Sequence, residues 1–108
     1  MKLLQLVSYF RNGGSFDEFC ENEQLNQESE VIEIYMKQPL EINSNLGFFE
    51  IEKTEGNYEF SDNGILYSNL FDFYYFQDAI EESNDSNNKH LTDDQIAKIL
   101  FNYAINDA

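Results

Sequence analysis

The chain has 108 residues, and six Lys and Arg against 21 Asp and Glu leave a formal charge of −15 at neutral pH. Such a field repels nucleic acid and attracts basic proteins, with association rates raised by roughly 10–10³-fold at low salt. Ten Phe and seven Tyr exclude a disordered acidic tail, because disorder goes with few aromatic rings.

The length fits a single domain over 1–108. In the N-terminal stretch, Leu3, Leu6, Val7 and Phe10 fall at helical spacing and form one apolar stripe. Asn12-Gly13-Gly14 stops that helix. The sequence Ser15-Phe16-Asp17-Glu18 reads as a capping box that opens a short helix to about Asn22. Polar residues Glu23 to Ser29 read as a loop. Val31 to Met36 is rich in β-branched residues and predicts a strand, which Pro39 confines to an edge or ends. Leu46 to Lys53 alternates, with Phe49 and Ile51 on one face and Phe48, Glu50 and Glu52 on the other. Glu55-Gly56 reads as a turn into Asn57 to Asp62. Asn63-Gly64 is the strongest hairpin signal, since both residues tolerate the positive φ of a type I′ turn; Phe60 then faces Tyr67 and Asp62 faces Ile65. Leu70 to Glu82 predicts a helix, with Phe73, Phe76 and Ile80 as its core face. After a polar Asn/Ser loop, Thr92-Asp93-Asp94 caps a last helix with Ile96, Ile99, Leu100 and Tyr103 on one face. The expected fold is α+β: an antiparallel β-meander of three to four strands, with N-terminal helices and two C-terminal helices packed on it.

Little in the chain points to catalysis. The lone cysteine, Cys20, lies near Phe16, Phe19 and acids. It reads as a small buried hydrophobe, because a reactive thiol needs cationic neighbours. His90 stands in a polar loop with no nucleophile marked beside it. An EF-hand reading of Asp85 to Ile96 fails, with His90 where the turn needs Gly and Ile96 where calcium needs a bidentate Glu. Lys2, Arg11, Lys37, Lys53, Lys89 and Lys98 are too scattered for a nucleic-acid patch. No enzyme activity, cofactor or metal is expected. The N-terminal apolar stretch is broken by Gln5, Ser8 and Arg11, so it does not read as a signal peptide. No run approaches the ~18 apolar residues of a membrane span. A cytoplasmic protein is the expectation.

Two constellations read as a partner surface. On the sheet, a two-residue Glu55-Gly56 loop would place Glu52 directly opposite Glu59, with Glu50 on the same face. Like charges opposite one another disfavour the sheet and would be relieved by a basic partner. On the helix, the face opposite the core carries Phe71, Tyr74, Tyr75, Asp78, Glu81 and Glu82, and Asp85 follows at the same end. Tyrosine anchors beside carboxylates have the composition of an interface centre that meets Arg or Lys.

The aromatic and acidic segment Asn69 to Ile80 (NLFDFYYFQDAI) and the ending Leu100 to Ala108 (LFNYAINDA) carry a resemblance. In these segments, and in size, charge and α+β order, the chain resembles the immunity proteins of bacterial contact-dependent growth inhibition systems. The resemblance implies a cytoplasmic inhibitor that binds one cognate basic toxin domain, such as a nuclease, and occludes its active or substrate-binding site. It leaves the contact residues open. A different reading is an acidic adaptor or nucleic-acid mimic that blocks a DNA- or RNA-binding protein, which requires carboxylates spaced like phosphates along an extended face. A remoter one is a small hydrolase built on two converging carboxyls. The sheet ladder has its own test: Gln at positions 52 and 59 should raise the melting temperature of the free protein if the two acids oppose each other.

Overall fold

The computed structural model of the chain describes residues 1–107, so Ala108 at the end of the Leu100 segment lies outside the described residues. The elements run α1 (Leu3–Arg11), α2 (Phe16–Asn22), β1 (Ile32–Lys37), β2 (Leu46–Glu50), the single helical turn α3 (Ile51–Thr54), β3 (Glu59–Asp62), β4 (Ile65–Asp72), α4 (Phe73–Ser83) and α5 (Asp93–Asp107). The fold is α+β, with helices before and after a four-stranded sheet that is antiparallel at every pairing.

The sheet order is β2-β1-β4-β3. It is two hairpins joined through their inner strands, not strands paired in succession as in a simple meander. Asn63-Gly64 makes the β3–β4 turn as its chemistry demands, with φ of 51° and 80°. Phe60 pairs with Tyr67 and Asp62 with Ile65, as the two-residue loop requires. β1 is central, not an edge, and Pro39 lies just beyond its end.

Ile32, Ile34 and Met36 of β1 face the helices. They pack with Leu3, Leu6 and Val7 of α1, Phe19 and Cys20 of α2, Phe73, Phe76 and Ile80 of α4, and Ile96 and Leu100 of α5. Phe10 ties this core together, its ring tilted against Phe19 at 5.4 Å and edge to face with Phe73 at 5.5 Å. Burial raises the Cys20 thiol pKa, and the nearby Asp17 and Glu50 carboxylates raise it further, so the thiol is held in its inert form.

Glu33 and Tyr35 alternate to the other face, yet both are buried. The reason is the β2–β3 connection. It leaves one edge of the sheet, passes over this face as α3 and residues 55–58, and returns at the opposite edge. Thr54 Oγ1 donates to Glu33 Oε1 at 2.7 Å, Asn69 Nδ2 donates to Glu33 Oε2 at 2.8 Å, and the Tyr35 hydroxyl donates to the Asn57 carbonyl. The sheet curls around this strap. Phe49 of β2 and Phe60 of β3 belong to opposite edges, but their rings are 5.0 Å apart, with Lys53 over both. The Glu55-Gly56 signal is therefore real but differently used. Its two positive φ angles, 58° and 73°, end the α3 turn and do not close a hairpin.

A second difference lies at the start of α4. Leu70 and Phe71 belong to β4, and Asp72 caps α4 by accepting from the Tyr75 amide at 2.7 Å. The register of β1 against β4 slips between Ile34 and Tyr35, so that Phe71 pairs with Ile34 and Asn69 with Tyr35. The extra residue at this bulge lets both Leu70 and Phe71 reach the core. Two adjacent buried residues fit a helix wheel as well as a bulged strand, which is why the predicted helix began too early.

Among the described residues Arg11 is the one cation drawn inside, its side chain only 8% exposed. Its guanidinium donates to the carbonyls of Ser83 (3.0 Å) and Leu91, and to Asp93 Oδ1 (3.2 Å). Longer bonds reach the carbonyls of Asn88 and Lys89 at 3.4 Å. Ser8 Oγ adds a bond to Asp93 Oδ2 at 2.6 Å. One side chain thus joins the end of α1, the end of α4, the following loop and the start of α5. Arg11→Met should destabilise the protein by about 3 kcal/mol, because it strands buried acceptors built around a charge. Arg11→Lys should recover only part of that loss, having three donors where the planar fork has five. Urea unfolding measures both, and equal stability of wild type and Arg11→Met would contradict the keystone role.

Candidate interaction surface

The carboxylates of the sheet do not converge. β2 and β3 occupy opposite edges, so Glu52 does not oppose Glu59 and the predicted ladder does not exist. Glu52 is not on a strand at all but in the first turn of α3. Its carboxylate accepts from Ser29 Oγ and from the Glu30 amide, the latter at 3.2 Å. Glu50 accepts from the Asn26 amide at 2.8 Å. Glu59, on the far edge, accepts from Gln38 Nε2 at 2.8 Å. Glu50 and Glu52 pin the one loop between α2 and β1, and Glu59 pins the segment after β1. The chain reverses through α3 before it can form a β2–β3 hairpin, and that one departure separates Glu59 from the other two.

The helical half of the surface assembles. Asp78, Glu81, Glu82 and Asp85 are all exposed and line one open depression of about 420 Å³. None of the four forms an ion pair among the described residues, where the pairs are Arg11–Asp93, Lys53–Asp62 and Lys98–Asp94. Asp93 and Asp94, at the start of α5, are thereby engaged internally. Glu81 and Glu82 stand in the last turn of α4, where the helix dipole already presents partial negative charge; Asp78 lies one turn earlier, and Asp85 lies just past the helix end, where it accepts from the Asn87 amide at 2.7 Å. Arg11 answers that dipole from beneath through the Ser83 carbonyl, and the exposed side of the same helix end has no cation of its own.

The two tyrosines differ. Tyr74 is 61% exposed, and its hydroxyl donates to the Glu30 carbonyl at 3.3 Å. It therefore meets Glu52 at the backbone of one loop residue, Glu52 taking the amide of Glu30 and Tyr74 its carbonyl. Tyr75 is half-buried and lies flat against Tyr103, the rings 4.6 Å apart and 14° from parallel. Phe71 is buried in β4 and is no part of this surface. On α5, Ile96 and Leu100 enter the core as expected. Ile99 and Tyr103 do not; they remain 55% and 40% exposed.

A further depression, of about 300 Å³, is lined by Glu33, Asn69, Asp72, Tyr75 and Tyr103 among others. Glu33 and Asp72 are cross-strand partners there. Both already serve the fold, Glu33 through Thr54 and Asn69 and Asp72 as the cap of α4. Sequence reading passed over Glu33 because nothing local marks which of many acids will be buried. It passed over Arg11 for the same reason, since every partner of Arg11 beyond α1 lies 70 or more residues away. Among the described residues no group of three His, Cys, Asp or Glu is arranged to hold a metal ion, and no helix is long and apolar enough to cross a membrane.

The hydrogen bond from Ser29, assisted by backbone amides, lowers the Glu52 pKa below the usual carboxylate value. A lowered folded pKa means that the contribution is present above the unfolded value and lost as pH falls through the folded one. Glu52→Gln should therefore lower the melting temperature at pH 7, the opposite of what an opposed Glu52–Glu59 pair requires. The deficit should shrink as the wild type is titrated through the acid range. Thermal melts of both proteins across that range decide it; a more stable Gln variant at pH 7 would contradict the loop-pinning role.

Among known proteins, no family model, curated sequence or solved structure matches the chain.

Proposed function

We propose that this chain is an acidic immunity protein, acting in the bacterial cytoplasm by capturing a cognate basic toxin domain and covering its active or substrate-binding site. The observation that carries the reading is the end of α4: Asp78, Glu81, Glu82 and Asp85 share one open depression without a single cation paired to them. Free acids at the negative end of a helix cost stability. A partner that brings Lys or Arg into the depression removes that cost on binding. A nuclease toxin carries such cations because it must hold phosphates. Charge of this sign speeds encounter, while nearby aromatic surface, here Tyr74 and the Tyr75–Tyr103 stack, slows release. The inhibitor needs no chemistry of its own. Steric and electrostatic occlusion suffices.

The test pairs this protein with the product of the gene immediately upstream, which the reading expects to be a basic toxin. Co-expression should relieve that product's toxicity, and the purified proteins should form a complex whose association rate falls steeply with salt. Asp78→Lys with Glu82→Lys should weaken the complex at least about tenfold, chiefly through association. Both positions are exposed, so the variant should keep its fold and circular dichroism. Unchanged affinity would remove the α4 end from the interface. Failure to bind or protect would remove the immunity reading.

A further inference from the structure

Helices α4 and α5 each pack on α1 and on β4. Between them they leave an open groove of about 220 Å³ whose floor and walls include Tyr75, Ala79, Leu91, Ile96, Ile99 and Leu100. The apolar character of this groove is not an accident of exposed side chains scattered over a surface. Ile99 lies on the helical stripe that the sequence devotes to the core, yet the fold leaves it 55% exposed in the groove. One rim is acidic. Glu82 lines both the groove and the neighbouring depression that holds Asp78, Glu81 and Asp85. Apolar walls that run directly into unpaired carboxylates define what fits: an apolar side chain carried next to cationic ones.

We propose that the α4–α5 groove is the docking site for a cationic amphipathic segment of the partner, which seats an aliphatic or aromatic anchor against Ile99 and Leu91 and lays Lys or Arg across Glu82 and its acidic neighbours. This rests on the capture of a basic partner proposed above and specifies where it is gripped. The anchor supplies affinity by burying Ile99, and the rim supplies orientation, because a segment docked in reverse would leave its cations away from the acids. Arg11 keeps the groove open at fixed width by holding the end of α4 and the start of α5 to the same guanidinium.

The probe is a short synthetic peptide of Leu and Lys patterned as an amphipathic helix, compared with a control in which Ser replaces every Leu. Binding is followed by fluorescence anisotropy and by amide shifts in the ¹⁵N-labelled protein. The Leu-Lys peptide should bind more tightly than the Ser-Lys control and shift the amides of Ala79, Leu91, Ile96 and Ile99. Ile99→Ser, at an exposed position that leaves the core intact, should weaken it about tenfold, and should barely affect the control. Equal binding of both peptides, indifferent to Ile99→Ser and shifting only residues 78–85, would overturn the groove and leave the acidic capture standing. No binding of either peptide at low salt would overturn both. Self-association of the free protein that Ile99→Ser abolishes would also overturn the proposal, by making a second copy the occupant.

Discussion

The guanidinium of Arg11 is the interaction on which the rest of the acidic surface depends. Helix ends leave carbonyls without partners, and the end of α4 meets this problem beside the depression lined by Asp78, Glu81, Glu82 and Asp85. A single buried cation reaches from α1, satisfies the Ser83 carbonyl, holds the Leu91 carbonyl and pairs with Asp93 at the next helix start. The loop between α4 and α5 has no strand or long apolar run to order it. Its geometry comes from converging on those donors. Display of negative charge at the surface is thus anchored by positive charge below it.

The curled sheet solves a different problem. A sheet covered by helices on one face would leave the other face wet, and Glu33 and Tyr35 would then be unremarkable surface residues. The strap formed by α3 and residues 55–58 covers them instead, and every buried polar group it creates has a partner. Glu33 accepts from Thr54 and Asn69, and Tyr35 donates to Asn57. A buried carboxylate is tolerable on those terms, since neutral donors offset much of its lost hydration without bringing in a second charge. The same strap draws Phe49 towards Phe60 and so closes the two edges of the sheet towards each other. Exposed edges invite pairing with other chains, and this curvature shortens what is on offer.

What could be read from the sequence follows from how local each determinant is. The first helix, the Ser15 cap, the Asn63-Gly64 hairpin with its register and the Thr92 cap are set by residues within a few positions of one another. All four were legible. The order of strands was not, because Glu55-Gly56 carries positive φ equally well at a hairpin and at the end of a helical turn. That one ambiguity moved Glu52 off the sheet and removed its supposed opposition to Glu59. The candidate surface divides along the same line. Asp78, Glu81 and Glu82 follow from a helix wheel, Asp85 from the loop directly after it, and the four came out together. Glu50, Glu52 and Glu59 depended on a long-range pairing, and Glu59 came apart from the other two. Tyr75 had the right helix face in the wheel but the wrong neighbour, since its stacking on Tyr103 depends on how α5 returns.

The 21 acids divide by what they touch. Glu33, Glu50, Glu52, Glu59, Asp62, Asp72, Asp93 and Asp94 all accept hydrogen bonds or ion pairs within the fold, and they are spread around it. The group lining the depression at the end of α4 shares the lack of a paired cation with the exposed Asp17, Glu18, Glu21 and Glu23 around α2, and differs from them in standing beside the apolar groove. Self-repulsion among contiguous charges weakens the compact state, so a fold shaped by stability alone would disperse them or place a lysine among them. The lysine of the next helix, Lys98, is paired with Asp94 instead. The internal economy of the fold therefore neutralises charge at the start of α5 and leaves it exposed at the end of α4, beside the apolar groove. Salt should act on these two consequences in opposite directions, easing the repulsion within the free protein while screening the attraction that draws a basic partner to it.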